Sequence, residues 1–92
     1  MAITVYFPPA NLSPDQYDEA LNKLDDAGQS APDGRVHHLS GMGEDGTLWV
    51  LDVWESPEHF EAFGEVLMPI LGELGVEMGE PMITPLHNYI GG

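Results

Sequence analysis

The chain has 92 residues, 42% of them hydrophobic, no cysteine, and a net charge of −14 from sixteen acidic against two basic side chains. That length supports one small domain, residues 1–92, and the lack of cysteine excludes disulfides, thiolate catalysis and thiolate metal sites. So acidic a surface repels phosphate backbones and anionic lipids, which excludes nucleic acid and membrane as expected partners and leaves solubility, or a taste for neutral or cationic small molecules.

There is no basic-plus-apolar leader and no apolar run approaching the roughly 18 residues of a membrane span, so a cytoplasmic location is expected. The opening AITVYF alternates Ile3, Val5 and Phe7 with Thr4 and Tyr6, the period-two pattern of a strand. Pro8 and Pro9 break it. Ser13, Pro14 and Gln16 then mark a helix start: a hydroxyl cap, a proline at the first position, and an amide three residues past the cap. Tyr17, Ala20, Leu21 and Leu24 give this helix an apolar stripe, and Gly28 ends it.

RVHHLSGM predicts a second strand, and Asp45-Gly46 predicts a tight hairpin into TLWVLDVWES. Ser56-Pro57-Glu58 opens a second helix with a stripe of Phe60, Phe63, Leu67, Ile70, Leu71 and Leu74. Pro69 lies inside that stretch and removes a backbone donor, which predicts a kink or an early end. The closing EPMITPLHNYI reads as a last strand whose two prolines suit a sheet edge.

Strand, helix and strand therefore occur twice, each helix introduced by Ser-Pro and an acid. The expected fold class is α+β, a ferredoxin-like split β-α-β arrangement with two helices on one face of a four-stranded antiparallel sheet. On the third strand Leu48, Val50, Asp52 and Trp54 share one side and Trp49, Leu51 and Val53 the other, and both sides are too apolar for water. Two helices cover only one face. A second copy of the sheet is the economical cover for the other, so a homodimer with sheets face to face is expected.

The order of elements, the DVWESPEHFEAF strand-to-helix junction and the PLHNYI ending resemble the dimeric α/β-barrel superfamily, and within it the small antibiotic-biosynthesis-monooxygenase-type proteins. The resemblance spans residues 2–90. It implies a homodimeric barrel, a pocket between sheet and helices or partner, and activities such as cofactor-independent oxygenation of phenols. The Asn-Trp-His set of haem-degrading relatives does not map onto this chain.

A tight Asp45-Gly46 turn would place His37 opposite or diagonal to Asp52, within reach across the strands, and His38 on the other face; one more loop residue exchanges the two. A His37–Asp52 pair could take a proton from a phenol or activated methylene, with the carboxylate setting the imidazole tautomer. These two residues are the candidate catalytic pair, and Tyr6, Trp54 and His87 the candidate substrate contacts; the Asp52 and Trp54 side of the third strand is expected to be the one that the partner sheet covers. The plainer alternative makes Asp52 a structural acceptor near a strand end and His87 a surface or dimer-seam residue. Adjacent histidines cannot share a cavity and no helical histidine spacing occurs, so neither a metal nor another cofactor is expected. The partner in view is a small apolar or aromatic molecule. The rival to an enzyme is a non-enzymatic binder or dimerising protein of the same fold.

Overall fold

Both helices begin where a serine meets a proline, as their sequences require. In the structure, a computed structural model that describes residues 1–91, Ser13 Oγ accepts the Gln16 N–H at 3.2 Å. The Gln16 side chain accepts the Ser13 N–H at 2.9 Å, closing a capping box on α1, Pro14–Asp26. Ser56 Oγ likewise takes the His59 N–H at 3.2 Å to cap α2, Pro57–Glu73. Gly28 follows α1 at φ +76°, a left-handed conformation that glycine adopts without a Cβ clash. Pro69 does not end α2, which continues four residues beyond it to Glu73. The bond it forgoes would run to Glu65, and both residues lie on the exposed side, where water can serve the freed carbonyl. No described helix is long and apolar enough to cross a membrane.

The strands are β1, Ile3–Phe7; β2, Arg35–Met42; β3, Leu48–Trp54; and β4, Met82–Pro85. They form one antiparallel sheet in the order β2-β3-β1-β4. The proline-bearing β4 takes an edge, where a missing donor costs no ladder bond. This is the split β-α-β architecture expected, with both helices on one face.

That face is built from every second strand residue. Ile3, Val5 and Phe7 of β1 and Leu48, Val50 and Trp54 of β3 pack with Ala20 and Leu24 of α1 and Phe63 and Leu71 of α2 in one buried cluster. The opposite face carries Thr4, Tyr6, Trp49, Leu51 and Val53, which the cross-strand register sets side by side. Gly41 is opposite Trp49, and a Cβ there would lie 2.3 Å from the indole, so the ring lies flat across β2 only because that residue has no side chain. Tyr6 and Trp49 meet at 6.3 Å between ring centres, while Leu39 and Met82 on the same face are 46% and 63% exposed. This second face is apolar, and no helix among the described residues covers it. At one end the segment after β4 crosses it, bringing Tyr89 to within 4.7 Å of the His37 ring, and Val53 beside His37 is buried.

Two expectations need correcting, and both concern sides. The hairpin is not the two-residue turn that Asp45-Gly46 suggested. Strand pairing stops at Met42 and Leu48, leaving a loop over residues 43–47, closed by the Gly43 N–H on the Thr47 carbonyl at 2.8 Å. Asp45 Oδ1 accepts from the Thr47 hydroxyl at 2.6 Å and from its N–H at 3.0 Å. An odd loop reverses the parity of the register, so His38 pairs with Asp52 and His37 with Val53. Secondly, the Asp52 side of β3 faces the helices and not a partner sheet.

Candidate functional site

Asp52 is the one buried charged residue among the described residues, only 4% exposed, and it sits on the helix-covered face between Val50 and Trp54. A carboxylate there requires a partner, because an isolated charge removed from water is very costly. The partner is His38, whose Nδ1 lies 2.5 Å from Asp52 Oδ1. His38 Nε2 in turn lies 2.6 Å from the Tyr17 hydroxyl. Tyr17 is on α1, one of the residues of its apolar stripe, so the chain of three crosses from helix to edge strand to inner strand. The Tyr17 and His38 rings are nearly parallel, at 7°, with centres 5.9 Å apart, as an in-plane hydroxyl-to-nitrogen bond demands.

The bonding partners assign the protons. The Asp52 carboxylate can only accept, so Nδ1 carries the imidazole hydrogen, and Nε2 takes the hydrogen of Tyr17. Tyr17 Oη keeps a lone pair for a molecule arriving from outside. If that molecule donates an O–H or acidic C–H proton to Tyr17, the tyrosine passes its own proton to His38 Nε2. The imidazolium so formed rests against Asp52. Tyr17 is the conduit, His38 the base, and Asp52 the group that orients and stabilises it.

Beside this chain lies a cavity of about 70 Å³ between the sheet and the two helices. Phe7, Leu24, Phe63, Leu67 and Leu71 make it apolar; Tyr17, His38, Asp52 and Arg35 supply its polar groups. An apolar cavity of about 150 Å³ takes up benzene, so this one admits a small ring only if its walls give somewhat. Leu21, 40% exposed, is the wall residue most open to solvent, and Tyr17, Arg35, His38, Leu67 and Met78 are half-buried. A second hollow of about 450 Å³ lies between residues 28–33 and α2, with His59 in its wall. There His59 Nδ1 is hydrogen-bonded to Ser56 Oγ at 2.6 Å, and its ring packs on Gly34. Ser56 already caps α2, so this pair is occupied in holding the helix start.

Burial is the main reason that the Tyr17 hydroxyl titrates above the ordinary value of 10.0; the nearby Asp52 carboxylate adds to the rise, Arg35 opposes it and Asp18 contributes a little more. Tyr17 is therefore a standing phenol. The folded chain holds this proton more tightly than the unfolded chain does, so the stabilisation is complete below about pH 10 and is lost as pH rises through the folded value. In an absorbance titration Tyr17→Phe should remove a tyrosine phase that lies above the ordinary range, and it should soften the alkaline loss of stability. An alkaline titration that Tyr17→Phe leaves unchanged above that range would contradict the burial of this hydroxyl.

The five residues singled out from the sequence do not form one site. Asp52 is in the cavity wall. His37 is on the opposite face against Tyr89, its expected place taken by His38. Tyr6 is also on the opposite face, beside Trp49. Trp54 shares the Asp52 side but is wholly buried among Phe60 and Phe63, as core. His87 is exposed beyond the end of β4. Tyr17 and Arg35 were missed. The Tyr17 signal was available: a hydroxyl within an otherwise aliphatic stripe facing the sheet needs a polar partner there.

No family model matches the chain, and no curated protein matches it. Solved structures do. A candidate antibiotic biosynthesis monooxygenase from Chloroflexus aurantiacus superimposes with a TM-score of 0.61 at 18% identity, over 98% of this chain and 95% of that one. Another from Deinococcus radiodurans gives 0.61 at 14% identity, over 99% and 97%. A Mycobacterium tuberculosis protein gives 0.52 at 18% identity, over 98% and 95%. The chain thus has the fold of the antibiotic-biosynthesis-monooxygenase-like proteins from end to end. At such identities the likeness concerns fold.

Proposed function

We propose that this protein is a homodimeric α/β-barrel enzyme that removes a proton from a small apolar or aromatic molecule, in the manner of a cofactor-independent monooxygenase. The observation that carries the proposal is the Tyr17–His38–Asp52 chain ending in an apolar cavity. Such a site takes a proton and keeps water from returning it. The organic anion left behind passes an electron to dioxygen, the two radicals join through a new C–O bond, and cleavage of the O–O bond releases water. In sum, one CH₂ and one O₂ become one C=O and one H₂O, with the relayed proton returned to the departing oxygen. The protein contributes the base, the orientation and the dry wall.

The uncovered face supports the dimer. Tyr6, Leu39, Trp49, Leu51 and Met82 form an apolar surface on a sheet whose other side is already packed, and a stable interface needs about 800 Å² from each partner. Light scattering at micromolar concentration should give twice the monomer mass of 10.0 kDa, and Leu39→Glu should return it to one. A wild-type monomer would remove the dimer from the proposal.

The enzyme itself is tested by dioxygen uptake with a panel of small phenols and activated methylene compounds, with metal chelator present. One dioxygen consumed per substrate supports the proposal. Binding of panel members without uptake would establish instead the non-enzymatic binder, a reading favoured by one observation: the hydrogen bonds of the three residues are already mutually satisfied.

A further inference from the structure

Only two side chains in this protein carry a permanent positive charge, Lys23 and Arg35. Lys23 is spent on the surface, 3.4 Å from the Glu73 carboxylate. Arg35 is different. With sixteen acids in the chain, none of the described ones lies within ion-pair distance of it. Its place in the fold is fixed all the same. It opens β2 at a register irregularity between Arg35 and His37, its guanidinium carbon sits 6.0 Å from the centre of the Phe63 ring, and one Nη2 hydrogen goes to the Ser30 carbonyl at 3.1 Å. A guanidinium has five hydrogens to donate, and the Ser30 carbonyl takes one of them. Arg35 is half-buried and stands in the wall of the apolar cavity together with Tyr17, His38 and Asp52. Its charge also reaches Tyr17, whose ionisation it favours against the effects of burial and Asp52.

We propose that Arg35 is an anion-recognition residue, and that the ligand of this cavity is a small apolar acid whose carboxylate pairs with the guanidinium while its ring or hydrocarbon body lies against Phe63, Leu67 and Leu71. The inference rests on the cavity being the binding site. It runs against what the overall charge suggests: a protein of net −14 repels anions at long range, and a guanidinium with no ion pair among the described residues offers a local counter-charge in the cavity wall. The planar fork of an arginine matches a carboxylate in two parallel hydrogen bonds, and the partly dry wall strengthens both. Asp52 does not compete for Arg35: no ion pair joins the two among the described residues, and Asp52 Oδ1 is bonded to His38. A carboxylate at the Arg35 side would leave the rest of the ligand to meet Tyr17, so one residue fixes the orientation and the other takes the proton.

The test uses benzoate and benzamide, which share a ring and differ in charge, followed by chemical-shift titration of the intact protein. Benzoate should shift the resonances of Phe63, Leu67 and Tyr17 and bind at least about tenfold more tightly than benzamide, the margin of a charge-assisted pair over a neutral one. Arg35→Met keeps the aliphatic stem over Phe63 and should erase the preference, bringing benzoate down to the affinity of benzamide. Arg35→Lys keeps the charge without the fork and should restore part of it, which also guards against a merely misfolded methionine variant. Equal binding of both probes to the wild type overturns the role of Arg35 and leaves the cavity standing. Absence of any shift at the cavity with either probe overturns both. Tighter benzoate binding that survives in Arg35→Met would place the anion elsewhere and also overturn the inference.

Discussion

Replacing His38 with glutamine is expected to lower turnover by about a hundredfold to ten-thousandfold, the usual loss when a positioned general base is removed. Glutamine can still accept from Tyr17 and donate to Asp52, so the hydrogen-bonded connection between α1 and the sheet is retained. It cannot hold an added proton. His38 is partly exposed, at 22% of its side chain, so its replacement leaves no large void and the melting temperature should move by only a few degrees. Asp52→Asn should reduce turnover to a similar degree for a different reason. An amide there can donate as well as accept, which lets the imidazole adopt the opposite tautomer and turn a hydrogen-bearing nitrogen toward Tyr17. Full turnover in His38→Gln would place the base elsewhere. Asp52→Ala that melts early yet works normally while folded would make the carboxylate a structural acceptor, the plainer of the two readings open from sequence.

Trp54→Ala is expected to cost about 3–5 kcal/mol of folding stability, the range for removing a large buried aromatic side chain. Trp54 has no solvent exposure and packs its ring 5.2 Å from Phe63 and 5.9 Å from Phe60, centre to centre, so it joins β3 to the first two turns of α2. Single domains have only about 5–15 kcal/mol in all, and one of 92 residues lies toward the lower end because it buries less of its surface. The alanine variant should therefore be largely unfolded at modest urea concentrations, with Trp49 fluorescence as the probe. Trp54→Phe should be much milder. The indole Nε1 is buried without a hydrogen-bond partner among the described residues, and removing an unsatisfied donor recovers part of the packing lost with the smaller ring. A loss below about 1 kcal/mol in the alanine variant would mean that Trp54 is not core.

These two residues show where legibility ended. From the strand pattern, Asp52 and Trp54 were known to share a side of β3, and a histidine beside Asp52 was expected. Which histidine depended on loop parity. Asp45-Gly46 reads locally as a two-residue turn, but the Thr47 hydrogen bonds to Asp45 and the Gly43–Thr47 closure make a longer loop. Local propensity at two positions does not count the residues left unpaired around them. Which side of the sheet the helices would choose was also undecided, because both sides of β3 are apolar and alternation could not rank them. That ambiguity placed Trp54 and Asp52 in the space between sheets when they belong beneath the helices.

Several features followed from the sequence by itself: an α+β fold, two capped helices in their observed places, four strands in order with the proline-bearing one at an edge, and a sheet apolar on both faces. Each rests on short-range rules, on caps, period-two alternation and backbone chemistry, that neighbouring residues satisfy without help. The site is a different kind of object. Tyr17, Arg35, His38 and Asp52 come from a helix and two strands, and only the packing of α1 over the β2–β3 pair brings them to one cavity wall. Their meeting was decided by the tertiary structure, because a one-residue change in loop length moves a strand's whole set of side chains to the other face, and no local pattern within the strand registers that change.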